Sequence, residues 1–304
     1  MVADRATGPV LALVSVDPCA WLGSALATRQ VVLMSATLGR HEDDNLTAFC
    51  RRLGFWQTET VDVSLPTFGN MEFRLADRSV PPPFGDDSVP DVRFYDYAAG
   101  MVRDAARSGR TLVLCASYGD VDELAGRLGD AAIAQRRGQA LAPLVQEFCQ
   151  TDNAVLVTPA GWAGLDLPYL VDNVVVVRLP LGRPDKLREE VLTAALERRG
   201  KSNRDARAIL ADQARGDAMR RLCQGFGRGI RAEDDRCTVW IADPRFPLPA
   251  NYGFDPRHRS LRQGLAEAWH DMAKAIPQRF RAGGVRSPFG RAMIVAAMSP
   301  ADAT

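Results

Sequence analysis

Residues 224–245 read QGFGRGIRAEDDRCTVWIADPR. A glycine-interrupted, helix-like pattern gives way to the apolar, β-branched TVWIAD (238–243), so the stretch joins a helical segment to a buried strand. Gln224, Arg228 and Arg231 are spaced i, i+4, i+7, which places them on one face if the helix is continuous. Two guanidinium forks and an amide then converge on one target. Arginine grips phosphate oxygens through parallel hydrogen bonds and keeps its charge, so a phosphate suits such a face. Gly225, Gly227 and Gly229 each cost a helix interior about 1 kcal/mol relative to alanine. Close approach of the backbone to a neighbour or a ligand is the physical reason left for them. An exposed arginine-rich turn is an equally good reading of these eight residues in isolation.

Upstream, further apolar runs repeat: VLALVSV (10–16), VVLMS (31–35), TVDVSL (60–65), TLVLCAS (111–117), AVLVTP (154–159) and NVVVVRL (173–179). Several are apolar throughout, as strands covered on both faces are. Between them DYAAGMVRDAARSG (96–109), DVDELAGRLGD (120–130) and LAPLVQEFCQ (141–150) have helical spacing, with Gly109 placed as a helix C-cap. The expected fold class is α/β, a largely parallel sheet with helices on both faces. Residues 185–222 are charged and helix-forming and predict a two-helix insertion. The proline-rich RSVPPPFGDDSVP (78–90) predicts a loop. After Pro247 the sheet signal ends, leaving a helix near 259–275 and a Gly/Pro/Arg-rich tail.

The 304 residues suffice for a large core, and a formal charge of +1 carries no global signal for nucleic acid. Only Lys186, Lys201 and Lys274 among the 38 basic residues are lysines, a bias that a GC-rich genome produces as readily as phosphate recognition does. Six dispersed cysteines without a C-x-x-C pair predict reduced thiols in a cytoplasmic protein. No signal-peptide pattern and no membrane-length apolar run is present.

Several strand ends carry small polar residues where the carboxyl edge of an α/β sheet faces a ligand crevice. LMSATL (33–38) offers Ser35 and Thr37; TLVLCASY (111–118) offers Ser117 and Tyr118. AGWAGLDLP (160–168) frames Trp162 between Gly161 and Gly164 and places Asp166 before a proline. In this order the stretches MSATL, CASY, GWAGLDLP and QGFGRGIR, the last running into Asp243 and Arg245, resemble the second RecA-like motor domain of superfamily 2 DNA helicases of the XPD and DinG branch. The resemblance covers roughly residues 8–255, and QGFGRGIR is its most specific part.

That resemblance implies a RecA-like, P-loop-NTPase-type fold and an ATP-dependent helicase that moves 5′ to 3′ on single-stranded DNA. It implies that Arg228 and Arg231 reach the ATP γ-phosphate as arginine fingers, with Gln224 setting nucleotide or water position. Gly164 and Asp166 would line the same cleft, Ser35 and Thr37 would couple nucleotide state to domain closure, and Ser117, Tyr118 and Trp162 would lie near DNA. Trp162 can equally prop its loop. ATP and Mg²⁺ would be held mainly by an upstream RecA-like domain, and no iron-sulfur cluster is expected in this chain. The DinG-like helicase associated with type IV CRISPR systems is one branch without that cluster, and a CRISPR nucleoprotein complex is a corresponding partner. Two departures stand out. Ala163 occupies the family's glutamate position, and Gly229 replaces a usual leucine, which predicts looser packing.

Two segments imitate the missing half. ALERRGKS (195–202) fits the end of a phosphate-binding loop, but it follows an amphipathic helix and Gly200 reads as that helix's C-cap. HEDD (41–44) imitates a carboxylate box but suits the N-terminus of the helix NLTAFCRRL. The chain therefore reads as the C-terminal half of a motor: residues 1–255 a RecA-like domain with the 185–222 insertion, and 256–304 a helix and tail. Alone it is expected to be catalytically incomplete. The competing expectation is a helicase-derived, non-enzymatic docking module of a nucleoprotein complex.

Overall fold

The computed structural model describes residues 2–5, 8–11, 18–26, 69–76, 80–83, 90–165, 167, 170–181, 186–230, 234–246, 285–286 and 292–293. Two compact units divide the chain. One comprises Met1–Ser64 and Gly182–Gly216, the other Leu65–Leu181 and Asp217–Thr304.

In the first unit β1 (Val2–Arg5) and β2 (Gly8–Leu11) form an antiparallel pair, Val2 opposite Leu11, followed by α1 (Pro18–Leu26). The run VLALVSV was expected in the parallel sheet; its first two residues instead end this two-stranded ribbon. An apolar run marks a strand without naming its partner, and the nearest partner closes with the smallest loop entropy. The expected strands VVLMS and TVDVSL lie outside the described residues.

The second unit contains β3 (Asn70–Leu75), α2 (Val92–Ala106), β4 (Thr111–Leu114), α3 (Tyr118–Leu128), β5 (Ile133–Ala134), α4 (Leu141–Gln150), β6 (Val155–Thr158) and β7 (Asn173–Val176). Helices α5 (Lys186–Arg198) and α6 (Asn203–Phe226) follow, the latter running into the second unit. Strands β8 (Arg236–Ile241), β9 (Val285–Arg286) and β10 (Ala292–Met293) complete the sheet, whose order is β10-β9-β3-β8-β7-β4-β6-β5. All its pairings are parallel except β10 with β9. The expected α/β class, a largely parallel sheet with helices on both faces, is the observed one. The sheet does not end at Pro247, however. Strands β9 and β10 add to its edge, and two-residue strands are too short to show any periodicity in sequence.

Every residue of β4, β6 and β7 is buried, which is why those runs are apolar on both sides of the pleat. Alternate residues serve two separate cores. Leu112, Leu114, Leu156, Val174, Val176, Val239 and Ile241 face Phe148 of α4 and Leu222 and Phe226 of α6. Val113, Val155, Val157, Val175 and Trp240 face Phe94 and Tyr95 of α2 and Leu124 of α3. Strand β3 escapes the apolar-run signal because Glu72 and Arg74 alternate with buried Met71, Phe73 and Leu75; the Arg74 guanidinium lies 4.4 Å over the Trp240 ring. Helix α2 begins at Asp91, whose carboxylate accepts from the Arg93 N–H, and ends at Ala106. Gly109 is therefore not its C-cap. At φ +144° Gly109 admits the Asp172 carboxylate, which accepts from the Arg110 N–H at 2.8 Å.

Candidate functional site

Parallel strands bring their carboxyl ends to one edge, and a ligand crevice forms there where the connections diverge. Strand β4 lies between β6 and β7, so the segment leaving β6 at Pro159 has to cross the β4 exit on its way to β7. Trp162 fixes that crossing. Its indole N–H donates to the Cys115 carbonyl at 2.7 Å, and its ring is 6% exposed. That bond braces the loop against the β4 exit.

The ring packs against the backbone of Gly225. A methyl there would sit 2.8 Å from Leu114 Cδ1 and 3.0 Å from two Trp162 ring carbons. The glycine is thus a close-approach position, as its cost in a helix suggested. Gly229 is another. A Cβ at Gly229 would overlap Cys237 Sγ, so the expectation of looser packing there is overturned: the sulfur occupies the space a side chain would take. Burial pushes that thiol up to about 12.

Arg228 reaches the same loop from the other side, although not from a helix face. Helix α6 ends at Phe226, and the Gly227 N–H donates to Cys223 O while the Arg228 N–H donates to Gly225 O. The continuous face predicted for Gln224, Arg228 and Arg231 is therefore broken after the first of them, because the flexible glycines release the helix. Arg228 is buried to 8% exposure; its guanidinium donates to Trp162 O at 2.9 Å and to Leu165 O. It grips both ends of the turn that carries Ala163 and Gly164. Those two residues are exposed, and Gly164 stands at φ +77° with open space where a side chain would be.

Beside this loop lies a charged cluster that the sequence reading missed. Ser117 caps α3: its hydroxyl accepts from the Asp120 N–H, while Asp120 Oδ2 accepts from the Ser117 and Ala116 N–H groups. Asp120, 1% exposed, also takes the Tyr95 hydroxyl at 2.8 Å and Arg178 Nε at 2.6 Å; Arg178 Nη2 donates to Ser117 Oγ at 3.0 Å. Burial, then the Asp120 carboxylate, pushes the Tyr95 phenol far above its ordinary value. A second pair stands at the β8 exit. Asp243 forms a two-pronged bridge to Arg245 at 2.9 and 2.7 Å, and its Oδ2 accepts from the Leu179 N–H at 2.9 Å. Burial alone would raise the Asp243 carboxyl, but the Arg245 guanidinium and the backbone N–H groups outweigh it and hold the group below 3.8. Thus Arg178 and Leu179, just past β7, are pinned from both sides. Ser117 followed by Asp120 was the available signal, a capping pattern, yet nothing in sequence joins Asp120 to Arg178.

Tyr118 is half-buried with the Arg137 guanidinium 5.3 Å over its ring, and Gln224 is half-buried on α6. Ser35, Thr37, Asp166 and Arg231 lie outside the described residues, as does HEDD. ALERRGKS is a helix junction. Gly200 at φ +75°, with Lys201 N–H donating to Leu196 O and Gly200 N–H to Glu197 O, forms a Schellman end to α5. Ser202 caps α6 through the Asp205 N–H at 3.2 Å. Cys115, Cys149, Cys223 and Cys237 are free thiols, and no described helix is long and apolar enough to cross a membrane.

Residues 103–253 match the Helicase C-terminal domain family. ATP-dependent DNA helicase YoaA of Escherichia coli K12 is 28% identical over 229 residues, 71% of this chain and 33% of its own length. The chain thus spans about a third of that relative. A solved XPD helicase covers 59% of this chain and 32% of its own at TM-score 0.46 and 20% identity; an apo XPD covers 69% and 39% at TM-score 0.46 and 18% identity. The family match spans β4 to β8 with the QGFGRGIR segment between them, so this chain carries a region that matches the Helicase C-terminal domain family.

Proposed function

We infer that this chain is the second motor domain of an ATP-dependent DNA helicase, closing over ATP and Mg²⁺ held by an upstream RecA-like domain and moving 5′ to 3′ on single-stranded DNA. The observation that carries the reading is Arg228, drawn from the Gln-x-x-x-Arg segment onto the carbonyls of Trp162 and Leu165 at the carboxyl edge of a parallel sheet. A guanidinium that holds two carbonyls is positioned, desolvated and unable to lose its charge. Such preorganised positive charge is what phosphoryl transfer requires of a protein.

Arg228 latches the 162–165 turn in the state described and passes to the phosphates as the two domains close. Arg231 reaches the same phosphates, and Gln224 orients the attacking water. Gly164 and Asp166 line the cleft, since the open space at Gly164 lets a ligand approach the backbone. Ser35 and Thr37 link nucleotide state to closure. Ser117 and Tyr118 face the single strand, with Trp162 supporting them from beneath. Bound ATP supplies the energy of hydrolysis; the chain's residues bind, orient and respond to it.

The test is turnover of this chain joined to its upstream ATP-binding domain. Arg231→Ala and Arg228→Lys should each lower DNA-stimulated ATPase at least about a hundredfold, the scale set by loss of a transition-state charge contact, with the thermal midpoint of Arg228→Lys reported alongside. Unchanged turnover in both variants overturns the arginine assignment. It would favour a non-enzymatic, helicase-derived module that docks into a nucleoprotein complex such as a CRISPR assembly. The observation behind that second reading is the exposed Ala163 in place of the family's glutamate.

A further inference from the structure

The turn between β5 and α4 is built with unusual care for a surface loop. Gln139 N–H donates to Arg136 O at 3.0 Å across Gly138, which stands at φ +81°, so residues 136–139 form a tight turn that a side chain at 138 would strain. Buried Gln135 locks it from within. Its amide NH₂ donates to Gln139 O at 2.9 Å, and its amide oxygen accepts the Thr158 hydroxyl at 2.5 Å. Gln139 Oε1 in turn accepts from the Arg136 N–H at 3.0 Å. At the tip of this clamped turn stand Arg136 and Arg137, both exposed.

Two exposed arginines of the second unit are neutralised locally: Arg93 by Asp91 at 2.8 Å, Arg107 by Asp104 at 2.7 Å. Among the described residues neither Arg136 nor Arg137 meets a carboxylate. Arg137 instead stands over the Tyr118 ring with Cζ 5.3 Å from its centroid, a cation–π contact that directs the side chain and leaves its charge uncompensated. The turn also sits on the carboxyl edge. Thr158, whose hydroxyl binds Gln135, accepts from the Ala160 N–H at 3.0 Å, and the segment from Ala160 leads into the turn held by Arg228.

We propose that Arg136 and Arg137 form a two-phosphate contact for the backbone of a single-stranded nucleic acid, set in place by Gln135 and by Tyr118. The proposal rests on the motor reading above for its ligand. Its physical basis is separate: a hydrogen-bonded turn carries two consecutive arginines with no carboxylate partner, and its backbone is ordered before the ligand arrives. Phosphate is the group that two such forks recognise. A strand tracked by Arg136 and Arg137 beside the Tyr118 ring has the combination of backbone charge and aromatic surface that sequence-tolerant single-strand sites use.

The measurement is binding of a fluorescent oligothymidylate to the whole chain across a salt series. The unmodified chain should show a linear fall of log affinity with log salt. Arg136→Ala with Arg137→Ala should weaken binding and flatten that slope by about 1.4, at about 0.7 for each phosphate on a single strand. The double variant Arg93→Ala with Arg107→Ala, which removes the same formal charge from paired arginines, should keep the slope. An equal slope and affinity in the Arg136/Arg137 variant overturns the contact. So does an equal flattening in the Arg93/Arg107 variant, which would make the effect one of net charge. Absence of binding by the unmodified chain also overturns it, while the arginine assignment at the nucleotide is read independently from turnover.

Discussion

At the scale of single residues, the site is built from close approaches that only absent or very small side chains allow. Gly229 and Cys237 share one space. Gly229→Ala should therefore destabilise the domain by about 1–3 kcal/mol, the usual cost of overpacking. Adding Cys237→Ala should return a large part of that loss, because the sulfur is what the new methyl strikes. Urea midpoints of the two single variants and the double variant close the cycle, and additive effects would show the two positions to be independent.

Asp243 makes a second residue-level expectation, in pH. Its folded carboxyl is held below the ordinary 3.8 by Arg245 and the Leu179 N–H against the opposing effect of burial. A depressed folded value means the group contributes its full stability above 3.8 and loses it as pH falls through the lower folded value. Asp243→Asn should cost about 3–5 kcal/mol near neutrality by leaving Arg245 without its counter-charge. Its stability should also fall less steeply than wild type below pH 3.8. Denaturant titrations over that range check both features, and parallel acid limbs would remove Asp243 as the source.

At the scale of elements, the junction between α5 and α6 shows how a motif match and a fold can disagree. Gly200, Lys201 and Ser202 are a C-cap glycine, a Schellman partner through its backbone, and an N-cap serine. Each fits the end of a phosphate loop in letters alone. Ser202→Ala should cost about 1 kcal/mol of helix capping, whereas Lys201→Ala should leave both stability and the ATPase of the joined motor unchanged. Loss of turnover with Lys201→Ala would restore this segment as a phosphate loop. The helix α4 was legible residue for residue because LAPLVQEFCQ has a clean apolar face. The end of α6 was not, since a periodic pattern continues past Phe226 while the glycines after it stop the backbone from following.

At the scale of the whole molecule, the parallel sheet orders the chemistry. Its carboxyl edge gathers the Ser117 cap, the Trp162 turn, Arg178, Arg228 and the Asp243–Arg245 pair from segments more than a hundred residues apart. Asp120 is the clearest case. It unites Tyr95, the cap of α3 and Arg178 past β7, so Asp120→Ala should unsettle three elements together and lower the unfolding midpoint more than Ser117→Ala. Comparable midpoints would mean that the cap alone matters.

By itself the sequence determined the α/β class, four of the sheet's strands, the helices on both sides and the order of the stretches that mark a helicase C-terminal domain. Those properties are local: side-chain period, β-branching and glycine cost act within a few residues of chain. Tertiary contacts alone bring Arg228 off the helix to hold the Trp162 turn, put Cys237 in the space over Gly229, and let Gln135 clamp the turn from which Arg137 reaches Tyr118. Each of those is a meeting of segments distant in sequence, fixed by strand order and by which carbonyl or amide each buried polar group must satisfy.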